Sequence, residues 1–246
     1  MKKLLFYISL LIVSSLNAQT KAPSHEAWSL LLKKYVSVDG KVNYKGFVRD
    51  SVKLNQYLKT LSDNTPDEKK WSKNEIKAYW INAYNAFTVS LIVKNYPVKS
   101  IKDVGAKMQI PFVNTPWDIK FIKIGKDIYD LNNIEHTKLR KEFGDARVHF
   151  ALVCASGSCP ILLNEAYIAD KLDMQLDAQA KVFLSDKSRN DISADNPKLS
   201  KIFDWYAMDF KSKGVTVIDF INMYSSVKIK ATAKVTYLDY SWNLNE

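Results

Sequence analysis

Apolar residues recur at helical spacing over 25–36, where Trp28, Leu31, Leu32 and Tyr35 share a face, and this predicts an amphipathic helix. A short strand is expected over 40–44. A second helix is expected over 47–61, carried by Val48, Val52, Leu54, Tyr57 and Leu58, with 62–66 as a loop. The strongest helical signal starts at Ser72. Ser72-Lys73-Asn74-Glu75 has the form of a capping box, in which the hydroxyl accepts from an early orphan N–H and the carboxylate reaches back. The helix should run through Ala78, Ile81, Tyr84, Ala86 and Val89 to about Lys94, with Pro97 as its stop. Its middle is apolar on most sides, which places it at the centre of the molecule.

After a Pro-rich connection over 110–116, the stretches 117–124 and 127–131 alternate about Gly125-Lys126, as a hairpin does. Asn132 or Asn133 can cap a helix over 134–143. The run from Arg147 to Cys154 reads as a short apolar strand, and 166–184 as a helix with Ile168, Leu172, Leu176 and Val182 on one face. Beyond it, 199–206 forms a further element, 217–224 a short helix and 235–238 a strand. Strand and helix do not alternate regularly. The expectation is therefore an α+β fold: a single mixed domain with a central buried helix packed on a small, largely antiparallel sheet.

The first eighteen residues change the picture of where this domain works. Lys2 and Lys3, an apolar run from Leu4 to Val13, and a small, polar exit over Ser14–Ala18 have the three zones of a secretory signal peptide. The run is shorter than the roughly 20 residues that span a bilayer. Cleavage after Ala18 would leave 19–246 as one domain, with no transmembrane segment in the mature chain. The expected location is periplasmic or secreted, in a bacterial cell.

Charge adds less. The chain carries 36 Lys+Arg against 26 Asp+Glu, a net +10. Removal of Lys2 and Lys3 with the leader leaves 34 basic residues and +8. The lysines are dispersed and form no run of five, so they read as a solvated surface and nucleic acid is not an expected partner. No internal repeat or linker divides the chain. With thirteen Tyr and six Trp, a substantial core is expected.

Candidate chemistry concentrates in few places. The two cysteines lie in His149-Phe-Ala-Leu-Val-Cys154-Ala-Ser-Gly-Ser-Cys159-Pro160. In an oxidising compartment they can form a disulfide, whose short loop contributes about 2 kcal/mol or less. Alternatively, Cys154 is a thiolate nucleophile, which needs a neighbouring base or a helix N-terminus to be reactive at neutral pH. Strand alternation would put His149 and Cys154 on opposite faces, so a direct pair requires the strand to end or bulge first. His136 is the other candidate base; it shares a helix face with Arg140, four residues on.

Asn82 and Asn85 lie three apart in the most apolar helix, and buried amides require partners. They either tie down a neighbouring segment or serve a site, by orienting an imidazole or binding an oxyanion. Paired Cys-x-x-Cys, His-Glu-x-x-His, Gly-rich phosphate loops and Gly-x-Ser-x-Gly are all lacking. No metal and no cofactor is therefore expected.

These residues carry a resemblance. Tyr79-Trp80-Ile81-Asn82-Ala83-Tyr84-Asn85-Ala86, then Ile134-Glu135-His136 with Leu139-Arg140, then His149 to Pro160, and the closing Tyr237-Leu-Asp-Tyr240-Ser-Trp242-Asn-Leu resemble the domain of unknown function 547 family, from about residue 75 to the C-terminus. The resemblance implies that Cys154 is more characteristic of the shared site than Cys159, with His136 and the two Asn beside it. It names no substrate.

The expectation is a cysteine-dependent hydrolase or acyl-transferase acting on an amide or peptide-like bond, its partner a small-molecule or peptide-like substrate of the envelope. Cys154, His136, His149 and Asn82 are the expected catalytic residues. Asn85, Glu135, Arg140 and Cys159 are the expected substrate-binding residues. The rival expectation is a non-catalytic ligand-binding module with a structural disulfide, and a weaker one is thiol–disulfide exchange by the cysteine pair.

Overall fold

Ser72 opens the longest helix of the computed structural model, which describes residues 21–110, 113–211 and 214–246. The expected leader over 1–18 lies outside the described residues. Ser72 Oγ accepts from Glu75 N–H, and Glu75 Oε2 accepts from Ser72 N–H at 2.7 Å, so the capping box forms as expected. This helix, α4 (Lys73–Asn95), is buried at every position from Ile76 to Ile92.

Three helices form a layer beside it, the second and third packed directly on it and the first packed on those two. They are α1 (Glu26–Tyr35), α2 (Tyr44–Arg49) and α3 (Ser51–Asp63). The single helix expected over 47–61 is divided at Asp50. Its N–H bonds back to Gly46 and Val48, and its carboxylate accepts from Tyr35 Oη at 2.8 Å and Lys34 Nζ at 2.9 Å. The strand expected over 40–44 is only a bridge between Val36 and Val42, because Asn43 Oδ1 accepts from Gly46 N–H and starts α2.

The hairpin is present. Strands β1 (Ile122–Ile124) and β2 (Asp127–Tyr129) pair antiparallel, and Gly125 takes φ 59° between them, a backbone region open to glycine. Asn133–Lys141 follows as a wide helix with i→i+5 hydrogen bonding, a form that recurs at functional sites. The cap is neither Asn132 nor Asn133. Asp130 Oδ1 accepts the Asn133 N–H at 2.5 Å, and Asn132 is already helical.

The strand expected from Arg147 to Cys154 is replaced. Ala146–Phe150 is a tight 3₁₀ turn, begun by Asp145 Oδ1 accepting from Arg147 N–H. After it, the groups a sheet neighbour would have satisfied are taken by one side chain of α4. Asn85 Nδ2 donates to Ala151 O at 2.8 Å, and Asn85 Oδ1 accepts from Val153 N–H at 3.0 Å. The helix expected from 166 begins later, as a 3₁₀ turn over Ala169–Lys171 leading into α5 (Leu172–Ser185).

The C-terminal third is built of short pieces: β3 (Lys198–Leu199), α6 (Ile202–Trp205), α7 (Ala207–Phe210), α8 (Val217–Tyr224) and β4 (Thr236–Tyr237). Strands β3 and β4 pair parallel, so the fold is α+β with one antiparallel and one parallel two-stranded sheet among the described residues. Two apolar cores result. One surrounds α4; the other is a phenylalanine cluster about Phe150, Phe183, Phe203 and Phe210. No helix among the described residues is long and apolar enough to cross a membrane.

Candidate functional site

A cleft of about 620 Å³ opens where the two cores meet. Tyr84 reaches it from α4, and Glu135, His136 and Arg140 face it from the wide helix. His149, Leu152, Cys154 and Cys159 line it as well, together with Lys102 and the rings of Trp117, Trp205, Tyr206, Tyr240 and Trp242.

Two of these lining residues, Arg140 and His149, are tied together by Asp209 of α7, which is not itself part of the lining. Arg140 grips this carboxylate with two nitrogens, Nη2 donating to Oδ1 at 2.9 Å and Nε to Oδ2 at 2.5 Å. His149 Nε2 meets the same Oδ2 at 2.7 Å. Burial opposes the charge on Asp209, but the hydrogen bonds from His149 and Arg140 outweigh it and hold the carboxyl well below its usual range. Asp209 is therefore an anion at neutral pH and accepts a proton-bearing Nε2–H. That partner assigns the His149 lone pair to Nδ1. The imidazole is 4% exposed and stacks on Tyr206, centroids 4.0 Å apart, so its ring plane is fixed.

His136 has the opposite assignment. Its Nδ1 lies 2.6 Å from Arg140 Nη1, which can only donate, so Nδ1 accepts and the proton sits on Nε2. Burial, opposed by Glu135 and reinforced by the Arg140 charge, lowers its pKa, so the neutral form is the one present. The two imidazoles thus present different faces: one with its lone pair on Nδ1, the other with a donor on Nε2. Glu135 is buried below them and interacts with the Tyr84 and Tyr206 phenols, which burial foremost, and the Glu135 charge with it, push well above the usual tyrosine range.

Cys154 and Cys159 are joined by a disulfide. Between them the loop turns through Ala155 at φ 59°, a left-handed conformation that costs an L-residue about 1 kcal/mol. The C-terminal segment holds this loop in place. Gly157 N–H donates to Asn243 O at 2.7 Å, Ser241 N–H donates to Ser158 Oγ at 2.8 Å, and Ser156 bridges Leu244. The same segment lays the Tyr240 hydroxyl against the sulfurs, 3.3 Å from Cys159 Sγ and 3.4 Å from Cys154 Sγ. Burial pushes this phenol up to about 12, so it is a proton donor.

Of the residues singled out in the sequence, Glu135, His136, Arg140, His149, Cys154 and Cys159 line this one cleft. Asn82 and Asn85 are not among its lining. Asn82 is fully buried, with Nδ2 donating to Tyr167 O at 2.7 Å and Oδ1 accepting Tyr167 N–H at 3.0 Å. Its amide therefore fixes the segment leading into α5, and neither orients an imidazole nor faces the opening. Asn85 acts at one remove, by holding the backbone that carries Cys154. Asp209, Tyr206 and Trp205 have no sequence signal of their own. They lie in Asp204-Trp205-Tyr206-Ala207-Met208-Asp209, read only as part of a C-terminal element and the stretch after it. Among the described residues, no group of three or more His, Cys, Asp or Glu could hold a metal ion.

No curated protein and no solved structure matches the chain. Trp205, Tyr206, Asp209, Tyr240 and Trp242 therefore find no counterpart in the comparisons, while the other half of the cleft does. Residues 68–184, which carry Tyr84, Glu135, His136, Arg140, His149, Cys154 and Cys159, match the model of the family described as Protein of unknown function, DUF547, in support of the resemblance that these motifs carry.

Proposed function

We propose that the cleft is the active site of a thiol-dependent hydrolase or acyl-transferase acting on an amide or peptide-like bond, with Cys154 as nucleophile once its disulfide is reduced. The observation that carries this reading is the buried His149 imidazole, which lines the cleft together with Cys154 and is held by the part-buried Asp209 carboxylate. A buried imidazole held by an ionised carboxylate is the arrangement that prepares a general base.

His149 Nδ1 would take the thiol proton and return it to the leaving group. Asp209 would hold the tautomer and stabilise the imidazolium that forms. His136, neutral and held at Nδ1 by Arg140, adds a second polar side chain to the same lining. Lys102, seated 4.0 Å over the Trp242 ring and without an ion pair among the described residues, supplies the positive charge for a developing oxyanion or a substrate carboxylate. The aromatic rings about the opening give a ligand apolar faces to pack on.

The test is turnover of peptide anilides and p-nitrophenyl esters by the reduced protein. Activity that disappears in Cys154→Ala, with the fold retained by circular dichroism, supports the reading; an active Cys154→Ala protein overturns the mechanism.

The observed disulfide favours a second reading, a ligand-binding module in which the bridge only shapes the loop. On that reading ligand affinity survives Cys154→Ala and reduction has no effect on it. Export to the periplasm or beyond, read from the first eighteen residues, fits both.

A further inference from the structure

The two sulfurs of the bridge are not equivalent. Cys159 is 3% exposed, whereas Cys154 is partly exposed on the cleft wall. Hydroxyls reach both sulfurs, with Ser156 Oγ 3.3 Å and Tyr240 Oη 3.4 Å from Cys154 Sγ, but only Cys159 Sγ also takes a backbone amide: Cys154 N–H points at it at 3.0 Å, beside the Tyr240 hydroxyl at 3.3 Å. Ser156 Oγ in turn donates to Tyr240 at 3.1 Å, which orients the phenol. Thiol–disulfide exchange depends on which sulfur can be reached and which sulfur leaves best. Access selects Cys154 for attack, and the amide N–H that only Cys159 Sγ receives selects Cys159 as the leaving thiolate.

We propose that Cys154–Cys159 is a reversible thiol–disulfide exchange site facing the cleft, opened by a small thiol that bonds to Cys154 while Cys159 leaves. In the first step a thiolate forms a bond to Cys154 Sγ and the protein S–S bond breaks. Its electron pair remains on Cys159 Sγ, held by the Cys154 amide and the Tyr240 hydroxyl. In the second step another thiolate attacks the small molecule's sulfur on Cys154, releasing a small-molecule disulfide and the Cys154 thiolate. Two thiols are oxidised for one protein disulfide reduced. Alternatively Cys159 attacks back on Cys154, which expels the small thiol and restores the bridge.

If the hydrolase reading holds, on which this consequence rests, the exchange makes the cleft inactive when oxidised and active when reduced. The C-terminal segment then has a chemical as well as a structural role, because it places Tyr240 at the leaving sulfur.

The experiment treats the purified, oxidised protein with reduced glutathione, quenches with acid during opening, and maps the modified cysteine by mass spectrometry. Glutathione on Cys154, with a free thiol at Cys159, is the expected result. Tyr240→Phe should slow opening about five-fold, as the loss of one hydrogen bond at the leaving sulfur would, without moving the adduct. Glutathione on Cys159, or a bridge that stays closed under conditions that reduce it in the unfolded protein, overturns the inference. The map needs no substrate: opening at Cys154 in a protein that hydrolyses nothing supports the exchange site while defeating the hydrolase reading.

Discussion

The core around α4 and the core around Phe150 are both well buried, yet they are made differently. The first rests on long regular helices, with α4 in contact with α2 and α3 and aromatic pairs such as Trp28–Tyr57, stacked with centroids 5.6 Å apart, between α1 and α3. The second gathers Phe150, Phe183, Phe203, Phe210 and Phe220 from a 3₁₀ turn, one proper helix and helices as short as four residues. In the first, local hydrogen bonding fixes each element and packing joins them. In the second, the packing itself fixes the elements, because a four-residue helix has too little cooperativity to stand alone. The cleft lies at their junction and draws on both: Tyr84 and, through Asn85, the Cys154 loop from the first, Tyr206 and, through its bonds to His149 and Arg140, Asp209 from the second.

The comparison predicts that the phenylalanine cluster is the more fragile partner. Phe150→Ala, at a position with no exposure, should cost about 4 kcal/mol and separate the loss of near-ultraviolet aromatic signal from the loss of helix in urea unfolding. A single coincident transition would show that the two cores unfold as one.

A pH experiment sharpens the other side. His25, beside α1, is buried against Tyr57 Oη at 2.7 Å, and burial lowers its pKa to about 4. Between the unfolded value near 6.5 and that folded value, the unfolded chain binds a proton that the folded chain does not. Stability therefore falls as pH drops through this window, by about 3 kcal/mol in total. His25→Gln should flatten that part of the profile, measured by urea unfolding at pH 7 and pH 4.5.

Asn82→Ala should cost about 3 kcal/mol in the same assay, because it leaves both backbone groups of Tyr167 buried without partners. Ser72→Ala, which removes only a helix cap, should cost about 1 kcal/mol.

The same contrast explains what could be read from the residues alone. The capping box of α4, the Gly125 hairpin and α8 have their determinants within a few residues, so spacing reveals them. Cys154, His136, Arg140 and His149 stand out because such side chains are costly to place unless they have partners. Asp209 does not stand out, since an Asp between the apolar residues of a short helical stretch reads as its solvent face and its partner His149 lies sixty residues away. The strand expected from Arg147 to Cys154 has a related origin. Its apolar alternation is real, but Asn85 supplies the hydrogen bonds that a neighbouring strand would have given, and Asn82 does the same at Tyr167. A side-chain amide on a helix can thus stand in for a strand partner, which no pattern of period two discloses.

The central claim is that His149, fixed by Asp209, activates Cys154. Its most direct test is the rate of iodoacetamide alkylation at Cys154 in the reduced protein, followed across pH for the natural chain and for His149→Gln. The account predicts reaction well below the ordinary thiol pKa of about 8.5 in the natural chain, and a shift toward that value in the variant. A Cys154 that titrates at about 8.5 or above in both proteins would contradict it.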